Sequence, residues 1–241
     1  MKKLIGAVIA ALMAGTMLVM FSATPAHAIA CDYSDANLQY ACVVFASFNG
    51  HIFDTDEASY WAGVGQSYGH YVEVNGLLYS AEVDSRYIGD LYDGVLDRDP
   101  DPQGLFFWST SLQQHKLSLE QVTSLFLASD EGFTELGGTN DDFTTALYNR
   151  WLDRAPESQA ALDYWSGVIA QYGRYAVSMY FATSPESTQK ATMVIYEDYL
   201  GRAPDSSGLS YWSNYMANAG KLATTNAIAG SNEAFTFLTS A

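Results

Sequence analysis

The stretch Leu200-Gly201-Arg202-Ala203-Pro204-Asp205-Ser206-Ser207-Gly208-Leu209-Ser210-Tyr211-Trp212 decides the fold, because most of it recurs upstream. One copy reads Leu96-Asp97-Arg98-Asp99-Pro100-Asp101, then Gly104-Leu105 and Phe107-Trp108. Another reads Leu152-Asp153-Arg154-Ala155-Pro156-Glu157, then Leu162 and Tyr164-Trp165, with one residue inserted. A worn copy opens the series with Val44-Phe45, Phe48, Gly50-His51, Asp54 and Tyr60-Trp61. There His51 stands in place of Arg, and Asp54 stands where the others carry an acid. The four Trp residues lie 47, 57 and 47 positions apart, which is the mark of a tandem repeat.

The residues before each turn are apolar at i, i+1, i+4 and i+5, as in Leu91-Tyr92 with Val95-Leu96 and Ile195-Tyr196 with Tyr199-Leu200. That spacing is one face of an α-helix. Pro then presets φ, Asp can cap the next helix and Gly relieves crowding in the turn. A second helix follows, with Leu209, Trp212, Tyr215 and Met216 on one stripe and Leu162, Trp165, Val168 and Ile169 as its counterpart. Beyond each Trp comes Ser80-x-Glu82, Ser129-x-Glu131, Ser184-Pro185-Glu186 or Ser231-x-Glu233. A Ser cap followed by an acid in the first turn marks a helix start. Strand signals are nearly absent. The expectation is an all-α protein of tandem helical repeats, each of about fifty residues, stacked into one body because so short a unit cannot bury its own apolar face. The units are residues 29–80, which are degenerate, 81–129, 130–184 and 185–241, behind a leader over 1–28. Gly63 to Gly76 and Gly137 to Asp142 read as loops.

The leader has Lys2 and Lys3 before an apolar run from Leu4 to Phe21, and ends Ala26-His27-Ala28. That is the pattern of a cleaved secretory signal, with an uncleaved membrane anchor as the competing reading. Beyond it, nine Lys and Arg face 27 Asp and Glu, a net charge of −18. Such a surface repels phosphate backbones and anionic lipid, so neither nucleic acid nor membrane insertion after cleavage is expected. The only cysteines, Cys31 and Cys42, lie just past the leader. In an exported chain they read as a disulfide, against lipidation at Cys31 as the alternative.

No pattern demands catalysis. Asp97-x-Asp99-x-Asp101 resembles the start of a calcium loop, but Pro102 and Trp108 occupy the positions where that loop needs Gly and a carboxylate. Three histidines beyond the leader, none at metal-ligand spacing, suggest no metal and no cofactor. Arg98 with Asp101, Arg154 with Glu157 and Arg202 with Asp205 recur as an Arg with an acid three residues on, which reads as a structural clasp. Trp61, Trp108, Trp165 and Trp212 read as core residues packing helix on helix. The off-pattern aromatics Tyr68, Tyr71, Tyr172 and Tyr175 flank glycines in the variable loops and are the candidates for ligand contact.

Residues Leu200 to Trp212, with the copies at Leu96 to Trp108 and Leu152 to Trp165, resemble the bacterial domain-of-unknown-function family 4214. The resemblance implies an α-helical module of exported and surface-layer-associated proteins, distantly similar to phycobilisome linker domains, with no established activity. The expected function is that of a non-catalytic interaction module, secreted or associated with the cell envelope, that binds a protein or a cell-surface polymer. Two other readings stand beside it: a secreted glycan-acting hydrolase using carboxylates from different repeats, and a structural component that assembles through the open ends of its stack.

Overall fold

The structure is a computed structural model that describes residues 31–240 apart from Phe53, and the leader lies outside the described residues. Those residues form fourteen α-helices and no strand. The first unit holds α1 (Ala36–Asn49), α2 (Thr55–Tyr68) and α3 (His70–Leu78). The second holds α4 (Ala81–Leu96), α5 (Pro102–Gln113) and α6 (Leu119–Ala128). In the third, α7 (Asp130–Glu135) and α8 (Asn140–Leu152) precede α9 (Gln159–Tyr172) and α10 (Arg174–Ala182). The last has α11 (Pro185–Leu200), α12 (Ser206–Ala219), α13 (Lys221–Ala229) and α14 (Asn232–Leu238).

The opening helices form as their pattern predicts. Ser80, Ser129, Ser184 and Ser231 accept backbone N–H groups as N-caps of α4, α7, α11 and α14. Val44-Phe45, Leu91-Tyr92, Leu147-Tyr148 and Ile195-Tyr196 are buried, and they lead one continuous core. Each opening helix stops at a residue in the left-handed region: Gly50, Asp97, Asp153 or Gly201. Only Gly enters that region freely, and Asp is among the few others that tolerate it.

Two expected loops need correction. Residues 63 to 76 are helical except at one residue, Gly69, whose φ of 91° ends α2 and starts α3. Gly173 and Gly220 make the same single-residue break between second and third helices, with φ of 82° and 86°. A glycine-dense stretch was thus a joint, because one positive φ turns the chain where a loop would take several residues. Of the stretch 137 to 142, Gly137 to Thr139 link α7 to α8, and Asn140 already lies in α8. This break splits what is a single helix in the second and last units. It accounts for most of the longer Trp interval, since 19 positions separate Ser129 from Tyr148 and 12 separate Ser80 from Tyr92.

The stack closes on itself. Neighbouring units touch in chain order, and the last then meets the first through α13 on α3 and α14 on α1. The third helices gather in the middle, where α6 lies on α10 and α13 on α3. Ser178 Oγ donates to Ser124 Oγ at 2.8 Å, and Asn226 Nδ2 donates to Asn75 Oδ1 at 3.2 Å. At the closing seam Tyr40 OH donates to the Ala229 carbonyl, and Phe235 stacks on His70 with ring centroids 4.3 Å apart. Ser47 Oγ and Tyr199 OH bond across the same seam at 2.9 Å. Both termini of the repeat series are therefore spent on each other, and the open ends expected of a linear stack are not presented.

Cys31 and Cys42 are joined, with Cα atoms 6.0 Å apart, which ties the N-terminal segment to the buried middle of α1. A closed loop that short is worth about 3 kcal/mol in the chain-entropy account. The bond also uses the sulfur that lipidation at Cys31 would need. No described helix is long and apolar enough to cross a membrane.

Candidate functional site

The repeated Arg builds a joint between units, and its partner is not the expected one. Arg98 Nε and Nη2 donate to Glu131 Oε1 and Oε2 at 2.5 and 3.1 Å. Arg154 makes the same fork on Glu186 at 2.7 and 2.9 Å, and Arg202 Nε donates to Glu233 at 2.6 Å. In the worn unit His51 Nε2 sits 2.6 Å from Glu82. Each Glu belongs to the Ser-x-Glu start of the following opening helix. The pairing of Arg98 with Asp101 and Arg202 with Asp205 is therefore corrected: Asp101 and Asp205 are N-caps of α5 and α12, each accepting backbone N–H on Oδ1, and neither forms an ion pair with its Arg. Only Arg154 also reaches its near acid, Glu157, at 2.6 Å.

Each Arg also lies over an aromatic ring of its own opening helix. The guanidinium carbons are 4.8, 4.8 and 5.2 Å from the ring centres of Tyr92, Tyr148 and Tyr196, in cation–π range. Phe45 meets His51 edge-on at 5.2 Å in the first unit. Hydrogen bonding from Arg98 and Arg154 holds the Glu131 and Glu186 carboxyls below the usual carboxylate range. The Tyr hydroxyl completes the joint by pointing at the second helix, where Trp165 Nε1 donates to Tyr148 OH at 3.2 Å. That contact explains the motif glycine, since a Cβ on Gly104 would fall 2.2 Å from Tyr92 OH. The motif is thus a three-helix clasp, and its chemistry is mechanical.

The second helices α2, α5, α9 and α12 form the outermost layer and pack chiefly on their own unit. They bury little: Ala58, Ala62 and Gly65 in α2, Ser109, Ser111 and Leu112 in α5, Ile169 in α9, and Ser213 and Met216 in α12. The four repeated Trp residues are half-buried and packed against the core. The aromatic before each Trp stands out in solvent: Tyr60 is 65% exposed, Phe107 57%, Tyr164 65% and Tyr211 61%. Each meets its Trp edge-on, with centroids 5.0 to 5.2 Å apart. Further aromatics enlarge some patches: Tyr180 lies 5.4 Å from Trp165, and Tyr215 lies 5.7 Å from Trp212.

Tyr68, Tyr71, Tyr172 and Tyr175 are exposed as well. They lie at helix ends on either side of Gly69 and Gly173, not in loops, with Tyr68 and Tyr172 closing the helices that carry the first and third aromatic pairs. The exposed ring of each pair was overlooked in the sequence because it shares a dipeptide with a packing Trp. Its signal was available: on a helix, neighbours in sequence point about 100° apart, so an aromatic beside a core Trp leaves the core stripe.

An all-α body of tandem repeats, closed by a reiterated Tyr–Arg–Glu clasp and studded with aromatic pairs, defines a helical-repeat protein. Residues 76–136 and 123–191 each match the model of the family described as Domain of unknown function (DUF4214), and these segments are DUF4214 repeats. No curated protein and no solved structure matches the chain.

Proposed function

We propose that this chain is an exported, non-catalytic interaction module that binds a polymer of the cell surface through its outward aromatic pairs. The observation that carries the reading is the exposure of Tyr60, Phe107, Tyr164 and Tyr211 at one repeat position, each backed edge-on by a Trp. The exposed ring recurs beside a packed Trp in all four units, which makes it a repeated surface feature. A ring face of this kind stacks on the C–H face of a sugar, and several weak contacts on one chain add through avidity. Export is supported by the leader and by the Cys31–Cys42 disulfide. The acidic surface suits an uncharged or basic polymer better than an anionic one.

Against the hydrolase reading, which needs paired carboxylates from different repeats, stand Glu73 and Asp84. Burial pushes the Asp84 carboxyl up to about 7, with a Gln113 hydrogen bond pulling the other way. Burial also raises Glu73, against its hydrogen bond with His70. Both side chains lie in the interior, where a glycan does not reach, and this favours binding over hydrolysis.

The test is co-sedimentation of the mature chain with purified cell-wall material, with and without calcium. Saturable retention supports the reading, and the absence of retention on wall material and intact envelopes alike overturns it.

A further inference from the structure

Where the first, second and last units meet lies a cavity of about 210 Å³, lined by Tyr79, His115, Leu117, Glu120, Gly220 and Leu222 among others. Glu120 is only 8% exposed and sits in the first turn of α6. Its Oε1 accepts the Lys221 backbone N–H at 2.7 Å, which supplies the cap that Gly220 cannot give to α13. Its Oε2 is buried and has no hydrogen-bond partner among the described residues. The cap accounts for one oxygen and leaves the other unexplained, and a buried carboxylate oxygen without a donor is costly. A Cβ on Gly220 would come 3.1 Å from that oxygen.

The remaining walls show what would satisfy it. Tyr79 and His115 meet edge-on at 4.4 Å and offer aromatic surface, while Leu117, Leu119 and Leu222 are apolar. His115 is an exposed rim residue held at φ 52°. Lys221, whose amine burial pushes down to about 8 against the pull of Glu120, does not itself line the cavity.

We infer that this cavity is a binding site for a small organic ammonium ion, with the ammonium on Glu120 Oε2 and a short apolar body between Tyr79, His115 and the three leucines. A cationic N–H donor satisfies the oxygen and offsets its charge in one contact, and aromatic walls attract cations. The strongly negative chain further concentrates cations at its surface. The volume admits a small organic ion such as n-butylammonium and is too small for the sugar chain proposed for the outer aromatics. The site is independent of that reading.

The test is calorimetric titration of the mature chain with n-butylammonium chloride at constant ionic strength, with butan-1-ol and sodium butyrate as controls. Amide shifts at Gly220 and Lys221 locate the site. The expected result is saturable binding with Kd on the order of 1 mM, as befits so few atoms. Butanol and butyrate should bind at least about tenfold more weakly, and Glu120→Gln should weaken the amine by about tenfold or more. Should Glu120→Gln fail to fold, His115→Ala serves instead, because His115 is exposed and its loss removes only one aromatic wall. No saturation by the amine, equal binding of butanol, or an affinity unchanged in these variants would each overturn the inference and leave a cavity that holds water alone.

Discussion

His51 is the one residue at which the repeat's own logic becomes dependent on pH near neutrality. Where the other units carry Arg, this imidazole pairs with Glu82, and that hydrogen bond raises its pKa from 6.5. A raised histidine value means that the pairing contributes fully below the unfolded pKa and is lost as pH rises through the folded one. The pair is exposed, so the contribution is about 0.5 kcal/mol. His51→Arg should abolish the fall in stability between about pH 6 and 8 that this residue causes, as followed by melts across that range. Glycines divide in the same residue-level way. Gly201 has φ 62°, and a Cβ there would lie 2.2 Å from the Phe237 ring. Gly201→Ala should destabilise by about 2 kcal/mol or more, whereas Gly89→Ala, in open space within α4, should stabilise by about 0.5 kcal/mol. Denaturant titration of the two variants checks the opposite signs.

Among elements, the periodic stripes of the opening helices and the Ser-x-Glu starts were legible because they depend on neighbours a turn apart. The clasp was half legible. Its Arg and its Glu were both visible as recurring residues, yet 31 to 33 positions separate them, and only the stacking of units brings them together. The nearer acids Asp101 and Asp205 satisfy the local spacing of a pair while serving as caps. A double-mutant cycle separates the two assignments. Arg98→Ala with Glu131→Ala should show a clear favourable coupling and Arg98→Ala with Asp101→Ala a distinctly smaller one, although Asp101→Ala alone still destabilises by removing a cap. The same long-range logic hides other joints. Arg86 Nη1 donates to the Phe48 carbonyl at 2.8 Å and Lys190 Nζ donates to the Leu152 carbonyl, so each covers the end of the preceding unit's opening helix.

For the whole molecule, closure is what distinguishes this protein from an open solenoid. A linear stack needs capping repeats or partners at its ends, while here α14 starts a further unit and spends it on α1. Nothing local in the sequence of Ser231 to Leu238 announces this, since the helix looks like one more repeat start. Its partners, Tyr40 and His70, lie at the other end of the described chain. Removing residues 231–241 should therefore cost on the order of 4 kcal/mol, through loss of the Glu233 clasp and of the buried Ala234 and Leu238. A thermal melt checks this, and an unchanged midpoint would show that the seam contributes nothing. Closure also leaves the second helices as an outer layer, with one aromatic pair per unit exposed on it.

In the function proposed above, those pairs bind the polymer together. The measurement that tests it most directly is retention on purified cell-wall polysaccharide by a series in which Tyr60, Phe107, Tyr164 and Tyr211 are changed to Ala one after another. The account predicts a stepwise loss of about 0.5–1.5 kcal/mol for each ring, with the melting temperature preserved because the rings are exposed. A quadruple variant that melts normally and is still retained like the parent would contradict it.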